Sequence, residues 1–342
     1  MADEPATMHG RRLAAVVFNP VKVPVETLRH AVAAAEQEHG WAPTEWFETA
    51  ELDSGTAAAR AAIATAPDVV LVAGGDGTVR AVAQEIYRTG VPLALLPAGT
   101  GNLLARNLHL TLADLPHAVR TAFTGADRSI DIAFAASRTP DRAVVRRAFL
   151  VMAGIGLDAN MAANTNPALK KRIGWLAYTD PIARSVLGNK QVNLHYRIDG
   201  GRPHALRAHT LIAGNCGTLT ANILLLPDAV VDDGLLDVVV FRPKGPFGWA
   251  RVGSRLATNG LFHRFRSGRW LMQRTPDLKG LNYVQARRFD VRFAAPQLLQ
   301  LDGDVIGEVT EVSLTVLHQG LMLRVPRDDA EPRDGAPSQR SA

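Results

Sequence analysis

The sequence predicts a three-layer α/β domain followed by an antiparallel β-sandwich domain, and three observations carry that expectation. Between Arg12 and Thr124, short apolar runs alternate with helix-length amphipathic runs, the pattern of a parallel sheet covered on both faces. Two of the apolar runs end in glycine-rich turns that lead straight into helices, V-V-L-V-A-G-G-D-G-T at 69–78 and P-A-G-T-G-N at 97–102. From Asp127 onward the pattern changes to short alternating strands separated by turns. The expected boundaries are a disordered N-terminus at 1–10, an α/β domain at 11–127, a β-sandwich domain at 128–326 and a disordered tail at 327–342.

Taken in order, Arg12 to Pro20 reads as the first strand and runs into the loop Asn19-Pro20-Val21-Lys22-Val23. Val25 to His39 is an amphipathic helix through Leu28, Val32 and Ala35. Thr44 to Phe47 is a second strand ending at Glu48-Thr49, and Gly55 to Ala66 is an Ala-rich helix. Pro67-Asp68 turns into the central strand, and after its glycine turn Val79, Val82, Ala83 and Ile86 recur at helical spacing. V-P-L-A-L-L-P is the next strand, and a helix from Leu112 to Thr124 closes the domain. Ser129 to Ile132 then leads a meander with strands at 146–153, 192–198, 207–213, 236–241, 289–293 and 297–301.

With 342 residues, 47% of them hydrophobic, the chain has room for two domains and a substantial core. No apolar run approaches the roughly 20 residues that cross a bilayer. The start is acidic, and no long apolar region or small-residue cleavage site follows Arg11-Arg12, so a cytoplasmic protein is expected. The single cysteine, Cys216, excludes an intrachain disulfide and a cysteine-rich metal site. A net charge of +5 implies attraction to a polyanion, either nucleic acid or an anionic membrane surface.

The two glycine turns carry the chemistry. Glycines let backbone approach an anion with no Cβ in the way, and the helix that follows offers the positive end of its dipole. Asp76 would repel a bare phosphate but fits if a divalent cation lies between them. A tight strand-to-helix connection capped by Thr or Asp is the plain alternative, and three glycines speak against it. Loops on successive strands would lie side by side at the carboxyl edge of one sheet, where open α/β folds bind ligands.

Together, Gly74, Gly75, Asp76, Gly77 and Thr78 with Gly99, Thr100, Gly101 and Asn102 resemble the diacylglycerol kinase catalytic family, over Arg12 to Pro326. That family includes sphingosine and ceramide kinases and bacterial lipid kinases. NAD kinases and phosphofructokinases share the first loop, whereas the second favours the lipid kinases. The resemblance implies transfer of the γ-phosphoryl group of ATP, with Mg2+, to the primary hydroxyl of a lipid, diacylglycerol first among the candidates. It implies nucleotide contacts from Asn19, Pro20, Thr49 and both glycine loops. In the family Asn-Pro precedes small residues and glycine. Here Lys22 stands in that loop, either adding charge or simply solvated.

Two acidic turns complete the pattern. Asp232-Asp233-Gly234 interrupts an apolar stretch and suits either a hard cation or a hairpin turn. The resemblance implies magnesium held there by the Asp233 side chain and the carbonyls of Val230 and Leu235. In L-L-Q-L-D-G-D-V-I-G, residues 298–307, Asp302-Gly303-Asp304 matches the family's Asp-Gly-Glu, which holds its general base. The resemblance favours Asp302, because Asp304 is one methylene shorter than the usual glutamate. Asp76 is a third candidate, since sphingosine kinases give that role to the first-loop aspartate. Gly154, Gly156, Asp158, Gly214, Asn215 and Gly217 fit the family pattern, while Thr220-Ala221-Asn222 replaces a glycine-rich patch.

Basic residues gather at Lys170-Lys171-Arg172 and, interleaved with aromatics, from Arg242 to Trp270, as suits an anionic bilayer surface or a solvated helical face. No recognised nucleic-acid-binding module accompanies them. The expected partners are a lipid substrate and, peripherally at the inner face, an anionic membrane surface, with no nucleic acid; a homodimer stays open. Two alternatives remain: a NAD kinase-like enzyme, and a catalytically idle nucleotide- or lipid-binding regulator, kept alive by the altered first loop, the missing glycine patch and Asp304.

Overall fold

In the computed structural model, the structure describes residues 11–50, 53–156, 191–217, 226, 228–242 and 281–327. Both expected disordered ends (all but residue 327), Asp158, Lys170 to Arg172, Thr220 to Asn222 and the basic-aromatic stretch beyond Arg242 lie outside the described residues.

Strands β1 (Ala14–Phe18), β2 (Glu45–Glu48), β3 (Val69–Gly74) and β4 (Leu93–Pro97) form a parallel sheet in the order β4-β3-β1-β2. Side chains of β1 alternate between two cores. Val16 and Phe18 pack with Leu28, Val32, Trp41 and Phe123, under helices α1 (Val25–His39) and α5 (Leu115–Thr124). Val17 packs on the other face with Val72, Val82, Ile86 and Leu104, under α2 (Thr56–Ala64), α3 (Asp76–Ile86) and α4 (Leu103–Asn107). Burial on both faces is why these strands read as unbroken apolar runs. Helix α5 starts three residues later than expected because Asp114 caps it, accepting the His117 N–H at 2.9 Å.

From β1 the chain passes to β2 on one side and to β3 on the other, so the order reverses between β1 and β3. Ligands of open α/β sheets bind at such a reversal, beyond the carboxyl ends of the strands. Here those ends are Asn19 and Gly74.

The second half is built from β5 (Ala126–Arg138), β6 (Val144–Phe149), β7 (Met152–Ile155), β8 (Val192–Ile198), β9 (His204–Ala208), β10 (Thr210–Gly214), β11 (Leu236–Phe241), β12 (Leu281–Ala286), β13 (Arg288–Leu301) and β14 (Asp304–Val325). These strands pair with one another antiparallel and enclose Phe149, Leu211, Leu236, Phe289, Leu299 and Leu314. The strand expected at 146–153 is two strands, broken where the backbone of Leu150 and Val151 leaves the ladder to bond Asp302. That expected at 207–213 is also two, with His209 between them donating its N–H to the Phe241 carbonyl. Those at 289–293 and 297–301 are one strand with a register shift between Arg292 and Gln297.

The boundary expected at 127/128 falls inside β5, and the fold crosses it a second time. The end of β14 returns to lie parallel to β4, with Leu323 opposite Leu93. One hydrogen-bonded path therefore runs from β12 to β2 through both halves. Because β14 begins at Asp304, the strand that joins the halves also starts at the second acidic turn.

Candidate functional site

The carboxyl ends of β1, β3 and β4 bring the predicted loops into contact. Asn19 donates its N–H to Ala73, its Oδ1 accepts from Val21 N–H, and its carbonyl accepts from Lys22 and Val23 N–H, which closes a tight turn around half-buried Pro20. That turn carries the Lys22 ammonium over the next loop: a Cβ built on Gly75 would lie 2.8 Å from its Nζ. The glycine absent from the first loop is thus replaced by a cation above the second. Thr49 is buried, bonded through its N–H to Phe18, and its methyl lies against Gly55.

The two glycine loops touch backbone to backbone. A Cβ on Gly99 would stand 2.8 Å from the Gly75 Cα, and one on Gly74 would meet the Thr78 side chain. Asn102 closes the second loop, accepting the Gly99 N–H at 2.9 Å and donating to the Gly99 carbonyl at 2.8 Å. Its φ of 48° is left-handed, a conformation asparagine tolerates better than most residues. Thr100 stands exposed at the tip, and Asp76 Oδ1 accepts the Leu103 N–H at 2.6 Å, so the first loop's carboxylate caps the second loop's helix. A Cβ on Gly101 would overlap Asp76 Oδ2. Burial pushes the Asp76 carboxyl above its ordinary range, against the N–H bonds from Leu103 and Asn102, and nearby Asp304 adds to the rise. A cradle that any Cβ would fill, with a cation at its mouth, fits the polyphosphate of a nucleotide.

Asp302 and Asp304 have different surroundings. Asp302 is 5% exposed; its Oδ1 accepts from Val151 N–H at 2.8 Å and Met152 N–H at 2.9 Å, and its Oδ2 from Leu150 N–H at 2.9 Å. Its own N–H donates to the Met152 carbonyl at 2.9 Å. Burial pushes its carboxyl up to about 6, although those donors and the Arg80 charge oppose the rise. The favoured base of the sequence reading is thus a fully engaged buried carboxylate. Asp304 is half-exposed and ion-paired with Arg80 of α3 at 3.0 Å, and a Cβ on Gly77 would lie 2.7 Å from its Oδ2. Asp304 therefore stands beside the first turn of the helix that follows the first glycine loop.

The Asp233 turn is held mainly by a residue the sequence reading passed over. Asp131 of β5 has no exposed surface; its Oδ2 accepts the Gly234 N–H at 2.6 Å, and its Oδ1 the Gln319 N–H at 2.7 Å, with His318 Nδ1 at 2.9 Å. Arg128 pairs with Asp232 at 2.8 Å. Asp233 is exposed, and its Oδ1 accepts the N–H of Leu235, at 2.9 Å. Burial raises its carboxyl, and Asp131 and Asp232 add to the rise. Among the described residues no three His, Cys, Asp or Glu side chains converge as a metal set. What the turn offers is a carboxylate oxygen with no hydrogen bond among the described residues, next to exposed Val230, a donor set that suits a hard cation completed by carbonyls and water.

Two signals could have exposed the residues that were missed. Asp131 interrupts a strand, Ile130 to Ala135, that is buried throughout, and Arg80 follows Asp76 by one helical turn amid buried Ala81, Val82 and Ala83. A charge at a position the pattern assigns to the core must have a partner.

Comparison with known proteins bears on the family and the fold. Residues 14–135 match the family model described as diacylglycerol kinase catalytic domain, and residues 150–323 that described as YegS C-terminal NAD kinase beta sandwich-like domain. A Pseudomonas putida protein named "Probable lipid kinase YegS-like" is 30% identical over 269 residues, covering 76% of this chain and 83% of that one. A Mycobacterium tuberculosis diacylglycerol kinase is 27% identical over 180 residues, 53% of this chain and 57% of that one. The chain spans little more than half the length of several curated relatives it matches. A solved structure of a diacylglycerol kinase from Bacillus anthracis has the same fold, with a TM-score of 0.68 at 19% identity, covering 92% of this chain and 97% of that one.

Proposed function

The chain belongs to the diacylglycerol kinase and YegS-like lipid kinase family, and on that premise we propose that it is an ATP-dependent lipid kinase, with diacylglycerol as the first acceptor to test. The observation that carries this reading is the half-exposed Asp304 carboxylate beside the first turn of α3, next to a cradle suited to polyphosphate. Backbone N–H groups of the Gly75 and Gly99 loops hold the phosphates, and the Lys22 ammonium over Gly75 meets their charge. The lipid hydroxyl attacks the γ-phosphorus, the bond to the β-phosphate oxygen breaks with its electron pair leaving on ADP, and the hydroxyl proton passes to Asp304. Asp304 takes this role ahead of Asp302, whose two oxygens already accept three backbone N–H bonds. Asp76 is engaged at Oδ1, by the Leu103 N–H that it caps. Magnesium, when bound, would support the Asp233 turn structurally; Asp233 with the carbonyls of Val230 and Leu235 would hold it. Peripheral contact with an anionic membrane brings the acceptor within reach, in keeping with the absence of any helix among the described residues long and apolar enough to cross a bilayer.

Purified protein incubated with γ-labelled ATP and dispersed lipids tests the reading. Label is expected on a lipid with a free primary hydroxyl, and Asp304→Asn is expected to lower turnover about 10²–10⁴-fold with ATP affinity retained. Label on NAD would establish the NAD kinase alternative, and nucleotide binding without any acceptor would leave the regulator.

A further inference from the structure

Arg80 places a guanidinium where the sequence pattern calls for core. Its side chain is 8% exposed, and it follows Asp76 by one turn in the helix that leaves the first glycine loop. A charge so far from water is kept only when it is paired. Its Nη2 binds Asp304 Oδ2 at 3.0 Å across 224 residues of sequence, and its Nε is buried without a hydrogen-bond partner among the described residues. The hydrogen bonding of this guanidinium is therefore directed at Asp304.

The carboxylate is held asymmetrically. Oδ2 lies between Arg80 Nη2 and the Gly77 backbone, while Oδ1 accepts no hydrogen bond among the described residues and the side chain is 48% exposed. At the other end of the turn, Asp302 is fixed to the backbone of residues 150–152. The charged groups around Asp304 are thus Arg80 and Asp76 on α3 and Asp302 on its own turn.

We propose that Arg80 is a positioning residue for phosphoryl transfer: it clamps Oδ2 of Asp304 so that Oδ1 faces the acceptor hydroxyl. This rests on the kinase reading and adds to it the part that sets the geometry of the base. An aspartate, one methylene shorter than the family's glutamate, has little freedom to adjust its reach. Anchoring it to α3 fixes its distance from the first glycine loop, because that loop leads directly into the helix that carries the clamp. In-line transfer is sensitive to such placement; a shift of about 1 Å costs on the order of 10² in rate.

The test uses the full chain with Arg80→Met, Arg80→Lys, Asp304→Asn and the double variant Arg80→Met/Asp304→Asn. Arg80→Met is expected to lower kcat for the lipid on the order of 10²-fold with KM for ATP within about two-fold of the parent. Arg80→Lys is expected to recover part of that loss through its charge, though not the fork geometry. In the Asp304→Asn background, Arg80→Met is expected to cost nothing further, since both act through one carboxylate. Fully additive losses, equal damage to ATP binding, or no rescue by lysine would each overturn the proposal. Should Arg80→Met fail to fold, the same comparison with Arg80→Lys decides: its smaller loss must vanish in Asp304→Asn. A parent without lipid-dependent turnover sinks the kinase reading itself, whereas an active parent with an undiminished Arg80→Met sinks this inference alone.

Discussion

The glycine loops and the aspartate turns are stabilised in opposite ways. The loops are defined by what is missing. Gly74, Gly75 and Gly99 leave gaps that a Cβ would close, and their fastenings are local, such as the Asn102 ring over three residues and the Asp76 cap over 27. The turns are defined by carboxylates that backbone donors have already filled, over separations of 150 residues at Asp302 and 103 and 188 at Asp131. An emptied loop is available to a ligand; a satisfied carboxylate is not. On the proposed reading, the base and the cation ligand are aspartates with an oxygen to spare among the described residues, Asp304 and Asp233, while Asp302 and Asp131 are engaged by backbone donors.

The comparison breaks most directly at Gly75. Its φ of −94° and ψ of −178° are open to any residue, so Gly75→Val tests space and not backbone strain. The new side chain would displace the Lys22 ammonium, 2.8 Å from the Cβ position, and crowd Gly99 at 3.7 Å. ATP affinity measured by calorimetry should fall at least ~100-fold, about 2.7 kcal/mol, while the melting temperature stays near that of the parent. Parental affinity would mean that phosphate does not use the cradle.

Asp302→Asn should do the reverse, harming stability and sparing nucleotide binding. An amide presents only one oxygen where three N–H donors converge on two, so at least one buried donor loses its acceptor, at about 1–3 kcal/mol. Its pH dependence has a definite sign. With the folded carboxyl raised to about 6 from an ordinary 3.8, the unfolded chain releases a proton that the folded chain keeps. Stability from this group is complete only below pH 3.8 and is lost as pH climbs through about 6. The gap between parent and Asp302→Asn in urea midpoint should therefore narrow from pH 4 to pH 6.5. A gap that widens would show that the N–H donors outweigh burial.

This contrast also explains what could be read from the sequence. The parallel half was legible almost residue by residue, with α1 and β3 found where the apolar spacing put them, because strand, turn and helix are each local. Both glycine loops and Lys22 were legible for the same reason. Asp302 and Asp304 were found as a pair, with Asp302 favoured as the base, but what surrounds each of them could not be read. The donors that fill Asp302 come from residues 150–152, and the partner of Asp304 is Arg80, so no window of sequence contains both sides of either contact. The same applies to β14, a 22-residue strand that pairs with β5, β13 and β4, with His318, Gln319 and Gly320 interrupting its apolar rhythm.

The smallest effect is expected at Asp233, where it separates a ligand from a scaffold within one turn. Asp131 holds the turn through Gly234 and Gln319, while Asp233 contributes one bond to the N–H of its near neighbour Leu235. Asp233→Ala should change stability by no more than about 0.5 kcal/mol, as an exposed substitution that removes one hydrogen bond to a near neighbour. It should nevertheless raise the Mg2+ concentration for half-maximal turnover several-fold, roughly 3–10-fold, because a hard cation loses its one charged oxygen ligand. Burial and the neighbouring Asp131 and Asp232 raise the Asp233 carboxyl, so proton and cation compete for it, and the parent's metal requirement should grow as pH falls. In Asp233→Ala that growth should flatten. Metal titrations at two pH values that superimpose for parent and variant would place the cation elsewhere and leave Asp233 as a turn residue only.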